Sequence, residues 1–295
     1  LRKEQERSAL RVREQKKRLT SIISRETFSN INKSQLIRLL IIAGAVITAI
    51  AVIASLAMRG NIESSFLAQA ETVRVGIRTD IAGFGQVGES GEIEGFDADV
   101  AKEVVSRVLQ TDKPVEFVGI ASEDAGAAIK YDRVDIALGF LAQDTDRVSG
   151  FTLTDPYYTE NVDAAVADPS ISTLSALNGK KIGILNSAIP LATANGYLES
   201  LNITADIERY FSLDDAAFDL GAQKIDAFLA PESVLKQYLP SYTKISEPVA
   251  QIGYGILIPS SQNVVEAAMN DAIRSMQRDG TIESLAQKWG IPYEG

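Results

Sequence analysis

Twenty consecutive residues, Leu39 to Met58 (LLIIAGAVITAIAVIASLAM), carry no charge. At about 1.5 Å of rise per helical residue, such a run spans roughly 30 Å, the thickness of a bilayer's hydrocarbon core. A core helix of a water-soluble domain does not need so long an uninterrupted stretch. Arg38 and Arg59 bracket it. One transmembrane helix over 39–58 is therefore expected, and charge orients it. Residues 1–38 hold 11 Lys/Arg against 4 Asp/Glu, a net of +7 in a chain whose total is −10, which leaves −17 for the rest. Basic flanks stay on the cytoplasmic side. The reading is a single-pass protein of the cell membrane, with its N-terminus cytoplasmic and residues 60–295 extracytoplasmic.

Ser55-Leu56-Ala57 and Ala68-Gln69-Ala70 have the small-x-small form of a signal-peptide cleavage site. The apolar run is longer than a signal peptide's core, and the basic head exceeds an ordinary n-region. An uncleaved anchor is the expectation. The basic segment 1–38 is expected to lie solvated near anionic membrane lipid. The sequence opens on Leu1, which is compatible with further chain upstream.

The chain has neither cysteine nor histidine. Disulfides, thiolate catalysis, a lipidated cysteine, a Ser-His-Asp triad and histidine metal sites are all excluded. No metal and no cofactor is expected. An acidic body of this size repels phosphate backbones, so nucleic acid is not an expected partner. Carboxylate and lysine chemistry stay open.

Beyond a linker at 59–71, the hydrophobic pattern alternates between strands and helices. VRVGI at 73–77 reads as a strand, and a glycine-rich turn follows it. Asp97 is expected to cap a helix whose apolar residues Val100, Ala101, Val104, Val105 and Val108 fall at helical spacing. PVEFVGI at 114–120 is a second strand, Ala125–Tyr131 a helix, and VDIALG at 134–139 a third strand. That is β-α-β-α-β with a parallel sheet. The pattern then repeats, with strands at 180–185, 206–210 and 225–230 and helices over 190–201 and 213–223. IDAFLA echoes VDIALG, each after a helix. Two α/β lobes of related construction follow.

Five segments, in order, carry a resemblance: VRVGIRTDIAGFG, GEIEGFDADVAKEV, VDIALGFLAQDTDRVSGFTLTDPYY, LNGKKIGIL and MQRDGTIESLAQKWG. Together the stretch from about Glu71 to Tyr293 resembles the bacterial extracellular solute-binding proteins of family 3. These are type II periplasmic binding proteins of the polar amino-acid group, which serve ABC importers. The resemblance implies two lobes joined by two hinge crossings, with a ligand held in the cleft between them. Lobe 1 would comprise 72–162 plus 250–295, and lobe 2 would comprise 163–249. The crossings would fall near Val162–Ala165 and Gly253–Ile256. Ligand binding would stabilise the closed hinge state.

Arg147 is the leading site residue. Asp144 can cap a helix with Arg147 in its first turn, so that free N–H groups and a guanidinium converge on one anion. The resemblance implies that this arginine takes the ligand's α-carboxylate. A surface ion pair with Asp144 or Asp146 is the alternative. Elsewhere the chain departs from the family. Gly139, Phe140 and Ala142 stand where serine or threonine is usual, and Asn186, Ser187 and Ala188 replace a G-T-T-like loop. The family's carboxylate for the ligand's amino group falls on Pro231, with Glu232 next to it and Asp226 on the strand before. Phe84 matches the aromatic that covers the ligand, Asp80 lies on the same loop, and Tyr254 lies at the second crossing. Three readings stay open: Glu232 substitutes, the ligand lacks an amino group, or the site is degenerate.

The leading function is capture of a small carboxylate-bearing, amino-acid-like ligand for an ABC permease, without catalysis. A sensor that relays ligand binding to a cytoplasmic or membrane signalling partner is the alternative. A dehydratase on the same fold, with Glu232 as its acid, is the remote one.

Overall fold

A computed structural model describes residues 33–139, 141 and 150–293, with side chains throughout except at 33, 35 and 51–61. The chain divides into two units, residues 1–59 and 60–295.

Helix α1 runs Lys33–Glu63 and contains the whole uncharged run. Leu39, Leu40, Ile41, Ile42, Val46, Ile47 and Ile50 on it are all exposed. Its side chains are described over 36–50 and again at Ile62 and Glu63, and among the described residues no helix is both long and apolar enough to cross a membrane. The expected linker 59–71 is instead helical for most of its length. It holds the end of α1 and the short α2 (Phe66–Gln69), which Ser65 caps by accepting from the Ala68 N–H. Burial of Ile62 and Leu67 explains this, because both belong to the core of residues 60–295.

The remaining elements are β1 (Val73–Ile77), β2 (Gln86–Val87), β3 (Ile93–Glu94), α3 (Phe96–Leu109), β4 (Val115–Gly119), α4 (Ala125–Lys130), β5 (Ile136–Leu138), β6 (Phe151–Leu153) and β7 (Tyr158–Val166). There follow β8 (Lys181–Leu185), α5 (Leu191–Ser200), β9 (Asp206–Tyr210), α6 (Leu213–Gly221), β10 (Ala227–Pro231), α7 (Glu232–Tyr238), β11 (Thr243–Lys244), β12 (Ala250–Tyr254), β13 (Leu257–Pro259), α8 (Asn263–Arg278) and α9 (Thr281–Lys288).

They build two sheets, one for each lobe. The first has the order β4-β1-β5-β13-β6, with β1 parallel to both β4 and β5. The second has the order β11-β7-β10-β8-β9, with β8 parallel to both β9 and β10. The echo between VDIALG and IDAFLA has a structural counterpart. Asp135, before β5, accepts from the Arg74 N–H of β1 at 2.8 Å. Asp226, before β10, accepts from the Lys181 N–H of β8 at 2.8 Å.

The sheets are joined by β7 and β12, which pair antiparallel from Val162↔Ala250 to Tyr158↔Tyr254. The far half of β7 enters the second sheet against β10. The C-terminal helices return to the first lobe. There Arg107 of α3 donates to Asp279 at 2.7 Å and to Thr281 at 2.9 Å. On α3 the apolar stripe Val100, Ala101, Val104, Val105 and Val108 is buried as its spacing predicts.

Asp97 does not cap α3. Gly95 occupies the cap position at φ 139°, and Asp97 is buried within the first turn. The Tyr157 hydroxyl donates to it at 2.8 Å, which supplies the partner that a buried carboxyl needs.

Candidate functional site

In α/β sheets, ligands collect beyond the carboxyl ends of parallel strands. Here those ends come from two sheets. Arg78, the turn at Ile120–Ser122 and Gly139 follow β1, β4 and β5, while Asn186-Ser187 and Phe211 follow β8 and β9. Between them lies a cavity of about 390 Å³, lined from the first lobe by Arg78, Thr79, Asp80 and the 119–123 segment, and from the second by Ser187 and Phe211.

Arg78 dominates this cavity. Its side chain is 6% exposed, and it forms an ion pair with Asp80, whose side chain is 65% exposed. The pairing is two-pronged: Nε donates to Oδ1, and Nη2 donates to Oδ2 at 2.9 Å. Nη2 also donates to Ser187 Oγ at 3.3 Å, across from one lobe to the other. A second bond crosses the same way, from the Tyr238 hydroxyl on α7 to the Asp80 carbonyl oxygen at 2.8 Å.

Gly139 fits this packing for a backbone reason. Its φ is +110°, and a Cβ there would lie 2.8 Å from Arg78 Cβ and 3.5 Å from Asp97 Oδ2. Only glycine lets the end of β5 approach the arginine so closely. Burial pushes Asp97 up to about 7, while the Tyr157 hydroxyl and the nearby Arg78 charge pull the other way.

The residues expected from sequence divide into three groups. Asp80 and Ser187 line the cavity, and Gly139 supports it from behind. Phe140, Ala142 and Arg147 lie outside the described residues. The others do not line the cavity. Phe84 is buried edge-on against Phe96 and Tyr158. Tyr254 is fully buried, and its hydroxyl donates to Glu160 at 2.9 Å. Asn186 gives its N–H to the Tyr210 carbonyl, and Ala188 is buried with its N–H on the Leu185 carbonyl.

Glu232 begins α7 but does not line the cavity. Lys236 reaches it at 3.0 Å and Lys244 at 3.3 Å. Burial raises its pKa, but the two lysines outweigh that and leave it below the ordinary value. Asp226 is likewise committed, to the Lys181 N–H and to Lys180.

Arg78, Phe211 and Tyr238 were not anticipated. Arg78 carried a readable signal, being a charged residue immediately past a β-branched strand that opens a parallel unit. Phe211 and Tyr238 carried none, because only the opposition of the two lobes places them at the cleft.

A family model for bacterial extracellular solute-binding proteins, family 3, matches residues 73–292. The histidine-binding periplasmic protein of Salmonella typhimurium is 28% identical over 239 residues, covering 77% of this chain and 90% of that protein. The lysine/arginine/ornithine-binding periplasmic protein of Escherichia coli K12 is 29% identical over 242 residues, with the same coverage of both. Among solved structures, an ancestral arginine-binding protein bound to arginine is similar with a TM-score of 0.59 at 24% identity, over 75% of this chain and 98% of that one. An ancestral amino acid-binding protein described as a precursor of cyclohexadienyl dehydratase is similar with a TM-score of 0.61 at 22% identity, over 74% and 95%. These structures share the two-lobed fold. By its sequence match across both lobes, the chain belongs to the bacterial extracellular solute-binding proteins of family 3.

Proposed function

We propose that this chain is a membrane-anchored extracytoplasmic binding protein. It captures a small carboxylate-bearing, amino-acid-like solute between its lobes and delivers it to an ABC permease. The observation that carries the reading is the cavity of about 390 Å³ at the carboxyl ends of both sheets, bridged by the bond from Arg78 to Ser187. Its size suits a small solute, and its lining draws on both lobes, so an occupant touches both and favours their approach. The matched relatives named above are binding proteins for histidine and for lysine, arginine and ornithine, which supports an amino-acid-like ligand. Arg147, in the position of the family's carboxylate clamp, completes the proposed site. The uncharged run within α1 provides the anchor, with the basic segment before it on the cytoplasmic side.

The test is a thermal-shift and calorimetric survey of the full chain in detergent, against amino acids and small carboxylates. Micromolar or tighter binding of one of them is expected. A folded chain that binds none of them sinks the reading. For the anchor, the full chain is expected to stay with membranes through an alkaline wash, whereas a chain lacking residues 1–59 is released. Release of both removes the anchor from the proposal.

A further inference from the structure

Arg78 and Asp80 differ sharply in exposure, and that asymmetry bears on what the cleft selects. The guanidinium is nearly buried at 6%, whereas its carboxylate partner is 65% exposed. Asp80 occupies Nε and Nη2 together, the planar two-pronged arrangement in which a guanidinium receives any carboxylate. Both residues line the cavity. A ligand enclosed there meets a cation on the wall and an intramolecular carboxylate that already fills its binding edge.

We propose that Arg78 is a specificity-determining anion receptor, and that Asp80 competes with the ligand for it. The ligand class is then an acidic amino acid or a related small dicarboxylate, whose distal carboxylate replaces Asp80 on the guanidinium. The inference rests on the solute-binding reading and narrows its substrate.

Three observations support the exchange. The exposed member of the pair can turn into solvent as the incoming carboxylate takes its place, so the nearly buried guanidinium is not left without an anion. The Tyr238 hydroxyl holds the backbone of Asp80 at its carbonyl, so rotation of the side chain is enough. Ser187 from the second lobe accepts from the same Nη2, so closure over a ligand keeps the guanidinium bonded on that side. Glu123, the other acidic residue of the lining, is exposed on the rim, where solvent and salt screen it.

The experiment is calorimetry on the full chain in detergent with L-glutamate, L-aspartate, L-glutamine and L-arginine. L-glutamate or L-aspartate is expected to bind at least tenfold more tightly than L-glutamine and L-arginine. Arg78→Gln is expected to abolish that preference, and Arg78→Lys to retain part of it, which separates a lost receptor from a lost fold. Asp80→Asn is expected to tighten binding of the acidic ligand severalfold, since a competitor has gone. If Asp80→Asn weakens it, Asp80 positions the arginine and the competition falls. If L-arginine or L-glutamine binds best, the proposed selectivity is overturned while the solute-binding reading stands. If a folded chain binds none of the four but binds another amino acid in the survey, only the narrowing is lost. If it binds no solute at all, both readings fall together.

Discussion

The Tyr238 hydroxyl donates to the Asp80 carbonyl oxygen at 2.8 Å, tying the helix after β10 of one sheet to the loop after β1 of the other. It is a neutral, partly solvated bond, of the kind that contributes on the order of 0.5–1.5 kcal/mol. Tyr238→Phe keeps the ring and removes the bond. Ligand affinity is expected to fall between about twofold and tenfold, with little change in the melting temperature of the unliganded chain. Calorimetry beside a melting curve checks both. An unchanged affinity would show that the bond plays no part in the approach of the lobes.

Gly139→Ala is expected to damage both fold and site. The added Cβ would meet the Arg78 backbone N at 3.1 Å and its Cβ at 2.8 Å, on a residue whose φ is +110°. Conformational strain of this kind costs on the order of 1–3 kcal/mol. The expected result is a lower midpoint in urea denaturation and weaker ligand binding, because the arginine must move. A variant with unchanged stability and affinity would show that β5 and β1 can separate freely.

The two aspartates before the paired strands make a matched test. Asp135 and Asp226 each accept from a backbone N–H of the neighbouring parallel strand at 2.8 Å. Asp135→Ala and Asp226→Ala are each expected to cost about 1–3 kcal/mol, the penalty for stranding a partner, read from denaturant unfolding. Asp226→Ala is expected to leave ligand affinity unchanged, because Asp226 does not line the cavity. A strong loss of affinity without a loss of stability would assign Asp226 to the ligand after all.

Glu160 sets a pH dependence. It lies buried on β7, accepting from the Ser233 N–H at 2.8 Å, the Ser233 hydroxyl at 3.0 Å and the Tyr254 hydroxyl at 2.9 Å. Burial pushes its pKa from 4.5 to about 7, against the pull of those donors, and the Glu232 charge adds to the rise. A carboxyl whose folded pKa lies above its unfolded value stabilises most below the unfolded value. That contribution is lost as pH rises through the folded one. Its share therefore falls from pH 4.5 to about 7, by on the order of 3 kcal/mol. The melting temperature of Glu160→Gln relative to the unaltered chain is expected to rise over that window. A difference independent of pH would show that Glu160 titrates as it does in the unfolded chain.

Much of the fold was legible because it rests on local patterns. The valine stripe of α3 and the Asp-led strands β5 and β10 each bury what their spacing says. The helical structure within 59–71 was not legible, because Ile62 and Leu67 are too few to form a period, and only tertiary burial shows that they belong to the core. Asp97 was misread because a charge at a helix start usually faces solvent, whereas here the Tyr157 hydroxyl lies inside to meet it. The site was less legible still. Glu232 follows the expected strand, but Lys244, which reaches it from β11, was not identifiable as its neighbour from sequence order. Arg78 gained its meaning only once Ser187 stood opposite it.

Strand β7 is nine residues long without a break, and it serves the crossing at one end and the second sheet at the other. Because β12 runs beside it in fixed register, sliding one lobe past the other would tear a whole ladder at once. Bending and twisting of the ribbon are the deformations that keep every rung. Motion between the lobes is thereby confined to a swing, as a door is confined by its jamb, and each return brings the same walls of the cleft face to face.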